Sequence, residues 1–187
     1  SLGLPPGPER GWLKLATFAP TLADVRGTTL FLDVDVIITG SLDTFFEPPE
    51  SFYIMYDFNP KRPGVGNSSV YRFEIGAHPS VLVDFVADFE KVKREHRNEQ
   101  EYLTAAMKRA GKLNFWPDAW AVSYKKRCIP KFPRSLWQAP ACPPETRIVI
   151  FHGHPKPEEA MLGIGNKWYR PAKAAPWVRE AWYGDAA

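Results

Sequence analysis

The sequence predicts an α/β fold, a mixed sheet with parallel central strands flanked by helices, and two patterns predict it. Short apolar runs, Thr29-Leu30-Phe31-Leu32, Phe52-Tyr53-Ile54-Met55-Tyr56 and Arg147-Ile148-Val149-Ile150-Phe151, are too short for helices and read as buried strands. Between them, Val81, Leu82, Phe85, Val86 and Phe89 fall at helical spacing, as do Tyr102, Leu103, Ala106 and Met107. Alternation of the two kinds puts a sheet at the centre and helices on its faces. With 187 residues and 44% apolar content the chain can bury a sizeable core, and one domain is expected over residues 1–187.

Residues 1–10 hold three prolines and two glycines and read as a loose arm. Trp12, Leu15 and Phe18 then mark a short amphipathic helix stopped by Pro20, with Lys14 facing outward or toward a site. A turn over 24–27 leads into the first strand, which ends on Asp33-Val34-Asp35 with Val36-Ile37-Ile38 directly behind. Gly40-Ser41-Leu42-Asp43 reads as a tight turn into a one-turn helix ending at Pro48-Pro49. After the strand over 52–56, residues 57–69 form a loop rich in Asn, Pro and Gly, and a third strand covers 69–73. Gly64 and Gly66 allow either close backbone approach to a ligand or a flexible hairpin.

One helix starts at Pro79 and carries Lys91, Lys93 and Arg94 near its C-terminal end, where the dipole favours cations. Another opens at Glu99-Gln100-Glu101 and ends before Gly111; acids in a first turn are ordinary dipole partners. Residues 121–124 read as a short strand, and 128–146, with five prolines, as a connecting loop. The aromatic tail from Trp168 to Tyr183 reads as a short helix packed on the body.

Charge narrows the partners. With 24 basic and 21 acidic residues interspersed, the net charge is +3, and a nucleic-acid partner would need a clustered stripe. The one tight basic group, Lys125-Lys126-Arg127 with Lys131 nearby, suits a solvated turn as well as a phosphate patch, so no nucleic acid is expected. Cys128 and Cys142 flank a Pro-rich stretch where one disulfide is possible and none is demanded. No apolar stretch approaches a membrane span and no secretory signal is present, so a cytoplasmic protein, at most peripheral to the membrane, is expected.

Two strand ends carry the chemistry. In an extended chain Asp33 and Asp35 point to one side while Val34 packs inward. Two carboxylates that close repel, and a shared proton, a basic side chain or a divalent cation must offset them; the plainer alternative is two acids in a solvated turn. The strand over 147–151 ends on His152-Gly153-His154-Pro155-Lys156-Pro157. Ligands collect at the carboxyl ends of strands in α/β sheets, so Asp33, Asp35 and His152 are expected to meet. Two carboxylates and an imidazole suit Mn2+ or Mg2+ bridging a diphosphate, with Lys156 as a further point charge.

These residues carry a resemblance. Phe31-Leu32-Asp33-Val34-Asp35, with Gly40-Ser41-Leu42-Asp43 and Phe45-Phe46 behind it, resembles the D-x-D region of GT-A-fold nucleotide-sugar glycosyltransferases, in particular the glycogenin-like, galactosyltransferase-like retaining group. Asn67-Ser68-Ser69-Val70 is similar to that group's Asn-Ser-Gly segment, Gln100-Glu101 with Leu103 to its Asp-Gln-Asp segment, and His152 to Pro157 to its final His, Gly and Lys-Pro element. The resemblance implies a metal-dependent transfer of sugar from a nucleotide-diphosphate donor, a UDP-sugar foremost, to a carbohydrate or glycoconjugate hydroxyl with retention. It implies that Asp33, Asp35 and His152, with His154 as the alternative imidazole, bind Mn2+ or Mg2+. Gly153 and Lys156 would take the diphosphate, Asn67 and Ser68 the sugar pocket, and Gln100 and Glu101 the donor sugar or acceptor, where Glu101 positions rather than attacks; Lys14, on the helix before the first strand, is a further substrate-binding candidate. Only 32 residues precede Asp33, so the N-terminal nucleotide-binding unit of the group is expected to be short or absent.

Two other readings stand beside it. Leu32-Asp33-Val34-Asp35-Val36 matches the opening motif of haloacid-dehalogenase-like phosphatases, with Asp33 as nucleophile, although the later strand end offers imidazole and Lys where an acidic pair is needed. A degenerate or truncated transferase fold acting as a non-catalytic binding module is the third.

Overall fold

The computed structural model describes residues 10–165 and 171–184. The expected loose arm, Arg10 apart, and Trp168 lie outside them. Two compact units each draw on two chain segments: the first on residues up to 31 and 44–116, the second on 32–43 and 117 onward. Among the described residues six strands, β1 (Thr28–Leu32), β2 (Val36–Ile38), β3 (Phe52–Tyr56), β4 (Gly66–Glu74), β5 (Ala121–Ser123) and β6 (Ile148–Ile150), make two three-stranded sheets ordered β1-β4-β3 and β2-β6-β5. Five α-helices accompany them: α1 (Ser80–Ala87), α2 (Phe89–Glu95), α3 (Glu99–Arg109), α4 (Pro157–Leu162) and α5 (Pro176–Tyr183).

In the first unit a 3-10 helix, Arg10–Phe18, buries Trp12, Leu15 and Phe18 as their spacing requires and leaves Leu13 half exposed. β3 and β4 pair antiparallel from Phe52 opposite Phe73 to Tyr56 opposite Gly66, with a bulge between Ile54 and Met55. The third strand was expected over 69–73 and is longer. The Gly66 amide donates to Thr104 Oγ1 on α3 at 2.9 Å, which ties the strand's start to the helix and brings Asn67 and Ser68 onto β4 instead of a loop. The helix expected from Pro79 onward is broken at Asp88. Its side chain accepts from the Lys91 amide at 3.1 Å and starts α2 as a cap, the local competition that keeps Asp out of helix interiors. Asn98 caps α3 in the same way, accepting from the Glu101 amide at 3.1 Å.

The core of this unit is aromatic. Trp12 stacks on Phe85 at 5.4 Å, and Tyr71 stacks with Phe31 at 4.7 Å and Phe18 at 5.8 Å. Much of the aromatic content that would suit ring-shaped ligands is thus spent on packing. Arg72 lies 2% exposed beneath β3, donating from Nη1 to the Phe45 carbonyl at 2.8 Å and from Nη2 to the Glu50 carbonyl, with its guanidinium 5.0 Å from the Tyr53 ring centre. It closes the 43–50 turn onto the sheet.

The second unit holds the mixed sheet. β6 is central, parallel to β5 and antiparallel to β2, with Ile37 opposite Val149 and Val122 beside the same residue. All three β6 residues are buried, the pattern of a strand covered on both faces. The aromatic tail does form a helix that packs on the body: α5 buries Val178 in the core of Ile37, Tyr124 and Phe151, and Trp177 Nε1 donates to the Pro140 carbonyl at 3.0 Å. Cys128 and Cys142 carry free thiols. Burial, reinforced by Cys142, pushes the Cys128 thiol up to about 12, so it stays protonated and inert at neutral pH.

Replacing Arg72 by Met leaves two carbonyls without their charged donor, and a loss of about 2–3 kcal/mol is expected from denaturant unfolding. A loss under 0.5 kcal/mol would show that Arg72 does not hold the 43–50 turn.

Candidate functional site

The Asp33-Val34-Asp35 segment is a turn between β1 and β2, and the two strands belong to different sheets. Val34 is 95% exposed, which overturns the expectation that it packs into the core. The apolar runs on either side were read as one extended path, but the chain changes sheets between them, so period-2 alternation does not run through the three residues. Of the alternatives weighed from sequence, the solvated turn describes the backbone.

The turn is nonetheless held against the end of β6. The Phe151 amide donates to the Asp35 carbonyl at 2.9 Å, extending the β2–β6 ladder by one bond. Lys156 Nζ donates to Asp35 Oδ2 at 2.8 Å, an ion pair across 121 positions, with side chains 41% and 27% exposed. Of the three ways to offset the paired carboxylates, the basic side chain is the one seen at Asp35. Lys156 owes its position to the start of α4: its amide donates to Glu159 Oε2 at 2.7 Å, and Pro157 opens the helix at a position where no amide is needed. His154 Nδ1 lies 2.8 Å from Glu159 Oε2, and this contact, followed by the bond from the Lys156 amide, holds the Glu159 carboxyl below the usual range.

His152 turns to β5. Its Nε2 is 2.6 Å from Ser123 Oγ, and its carbonyl accepts from Lys125 Nζ. Gly153 follows at φ +69°, in the left-handed region, and a Cβ there would stand 3.3 Å from the same Lys125 amine. Ser123 and Lys125 were not singled out as site residues. The lysine run held the only sequence signal for Lys125, and a three-residue strand gave none for Ser123.

As a metal centre the arrangement does not fit. Lys156 stands on Asp35 and Ser123 on His152, and among the described residues no three His, Cys, Asp or Glu side chains form a group that would hold a metal ion. His154, the alternative imidazole, is engaged with Glu159.

The remaining candidates gather in the first unit. Ser68, 1% exposed, donates to Glu99 Oε1 at 2.8 Å, and Lys14 Nζ reaches the Ser68 carbonyl and hydroxyl at 3.3 and 3.4 Å and Glu99 at 4.0 Å. Gly11 makes room for this: a Cβ there would fall 2.3 Å from the Glu99 carboxylate. Glu99, read from sequence as a dipole partner, is therefore the acceptor at the centre of a Lys-Ser-Glu network. Asn67 is spent locally, its Oδ1 accepting from the Ser69 amide at 2.9 Å. Glu101 accepts from the Arg97 amide at 2.9 Å and pairs with Arg62 at 3.4 Å, a capping role beside a charged one. The Gln100 carbonyl accepts from Thr104 Oγ1 at 2.6 Å; its half-buried side chain lies on the same first turn.

Solved structures with a similar fold include glycosyltransferases. The galactosyltransferase LgtC, crystallised with donor and acceptor sugar analogs, superposes with a TM-score of 0.52 at 15% identity, over 78% of this chain and 59% of LgtC. The apo-form glycosyltransferase GlyE of Streptococcus pneumoniae TIGR4 gives 0.54 at 16% identity, over 78% of this chain and 38% of GlyE. The chain shares their fold. It is the GT-A fold expected from the D-x-D resemblance, and the chain spans 59% and 38% of the two transferases it resembles. No protein-family model matches the sequence, and no curated protein matches it. Within the glycosyltransferase fold, the turn at Asp33 and the loop after β6 meet at the end of the mixed sheet, the place where α/β sheets take ligands. No helix among the described residues is long and apolar enough to cross a membrane.

Because Val34 stands in solvent, Val34→Asn is expected to change unfolding stability by less than about 0.5 kcal/mol. A buried Val would cost roughly 1.5–3 kcal/mol, and a loss of that size would restore the inward-facing strand.

Proposed function

We propose that the chain is a glycosyltransferase that moves a sugar from a nucleotide-diphosphate donor, a UDP-sugar foremost, to an acceptor hydroxyl with retention. The observation that carries the proposal is the meeting of Asp35 and Lys156 at the sheet end of a glycosyltransferase fold. The acceptor oxygen bonds to the anomeric carbon as the bond to the diphosphate oxygen breaks. The acceptor proton passes to the departing phosphate. Charge grows on that leaving group, and the amines of Lys125, beside Gly153, and of Lys156, on Asp35, are the groups of this chain suited to meet it. Half exposed, Lys156 trades Asp35 for phosphate at small cost. The positive φ of Gly153 and its missing Cβ let a diphosphate oxygen approach the backbone.

A divalent ion at Asp35 would compete with Lys156 for Oδ2. The phosphatase alternative gains nothing from the geometry, since the residue beside Asp35 is a lysine and not the second acidic pair.

UDP release on mixing UDP-sugars with saccharide acceptors tests the proposal, run with and without Mn2+, with product anomers read by NMR. Turnover that falls at least about 100-fold in Lys156→Met is expected from loss of a charge on the leaving group. Absence of turnover and of UDP binding in all conditions would leave the non-catalytic binding module as the reading of the fold.

A further inference from the structure

The loop over 128–146 holds a cavity of its own. It is an open hollow of about 630 Å3 within the second unit, lined by Arg127, Lys131, Phe132, Arg134, Gln138 and Cys142 among others. That volume lies in the range of small-ligand pockets, about 300–1,000 Å3. The loop is braced. The Ala141 amide donates to the Cys128 carbonyl at 3.1 Å and closes its neck, while the Trp137 and Gln138 amides donate to the Arg134 carbonyl at 3.1 and 2.8 Å. Four of its prolines, at 130, 133, 143 and 144, form part of the wall and limit its freedom.

Its chemistry is one-sided. Three cations, Arg127, Lys131 and Arg134, line the cavity and no carboxylate does. None of the three is in an ion pair among the described residues. Like charges gathered around a concave, partly apolar wall raise the local concentration of anions. The rest of the lining, Gln138 apart, is mostly apolar, with Phe132 70% exposed, and Leu136 and Trp137 stand 50% and 62% exposed on the same loop. Such a site rejects a bare metal ion or a neutral sugar. It favours an anion with several oxygens carried on an apolar body, and Arg forks match phosphate geometry.

We propose that this cavity, separate from the Asp35–Lys156 site, binds a phosphate-bearing ligand, with Arg127, Lys131 and Arg134 on the phosphate and Phe132 against its apolar part. The phosphate is supplied either by a free phosphorylated compound or by a lipid headgroup, and the same three cations serve both.

The test uses the full chain and two probes: inorganic pyrophosphate, followed by calorimetry, and sedimentation with vesicles of phosphatidylcholine alone or mixed with phosphatidylglycerol. A Lys131→Glu/Arg134→Glu pair is compared with Lys91→Glu/Lys93→Glu on α2, which changes net charge equally at a distant position in the sequence. The loop pair is expected to weaken binding at least about tenfold, and the helix pair to leave it near wild type. Loop-dependent pyrophosphate binding identifies a free phosphorylated ligand, and loop-dependent binding to the anionic vesicles alone identifies the lipid source. Binding of neither probe, or binding that the loop pair leaves unchanged or that both pairs weaken equally, overturns the proposal.

Discussion

The ion pair between Asp35 and Lys156 is the contact on which the reading of this molecule depends. It joins a turn near the start of the chain to the first residues of α4, and the Phe151-to-Asp35 backbone bond beside it sets the distance. Each partner is fixed by something else: Asp35 by the antiparallel register of β2 on β6, Lys156 by the Glu159 cap and Pro157. The pair is partly exposed, so it adds only about 0–1 kcal/mol to stability. Its weight is positional. A lysine that is held but weakly committed can change partners when a stronger anion arrives.

The β6 end and the α3 start are built on the same plan. In each, a helix begins right after a chain reversal, and its first-turn Glu reaches back to a backbone amide: Glu159 to Lys156, Glu101 to Arg97. These caps settle where nearby polar side chains stand, Lys156 in one case and Glu99 with Ser68 in the other. The rigidity of both clusters therefore comes from local helix chemistry more than from the sheets.

Much of this was legible in the sequence. β3 falls where its apolar run lies, and β6 and α3 within a residue or two, since apolar runs and helical spacing record burial directly. The D-x-D segment and the His-Gly-His-Pro-Lys segment were legible as candidates by residue type and order. What periodicity missed depended on contacts it does not encode. Val34 was placed inside because the change of sheet between Leu32 and Val36 leaves no mark on an apolar pattern. The break at Asp88 was hidden by apolar residues continuing in phase across it, although an Asp inside a helix was the available signal. Glu99 was set aside because a first-turn acid usually serves the dipole; only the tertiary approach of Ser68 and Lys14 gives it a second role.

The central claim is that Asp35 and Lys156 act as one unit in binding a nucleoside diphosphate, and a double-mutant cycle tests it most directly. UDP is titrated calorimetrically into the wild type, Asp35→Asn, Lys156→Met and the double variant. The account predicts non-additive effects, with Lys156→Met weakening binding, Asp35→Asn altering it only while Lys156 is present, and a coupling of at least about 0.5 kcal/mol, as for residues in contact. Additive effects, or UDP affinity indifferent to both substitutions, would contradict it.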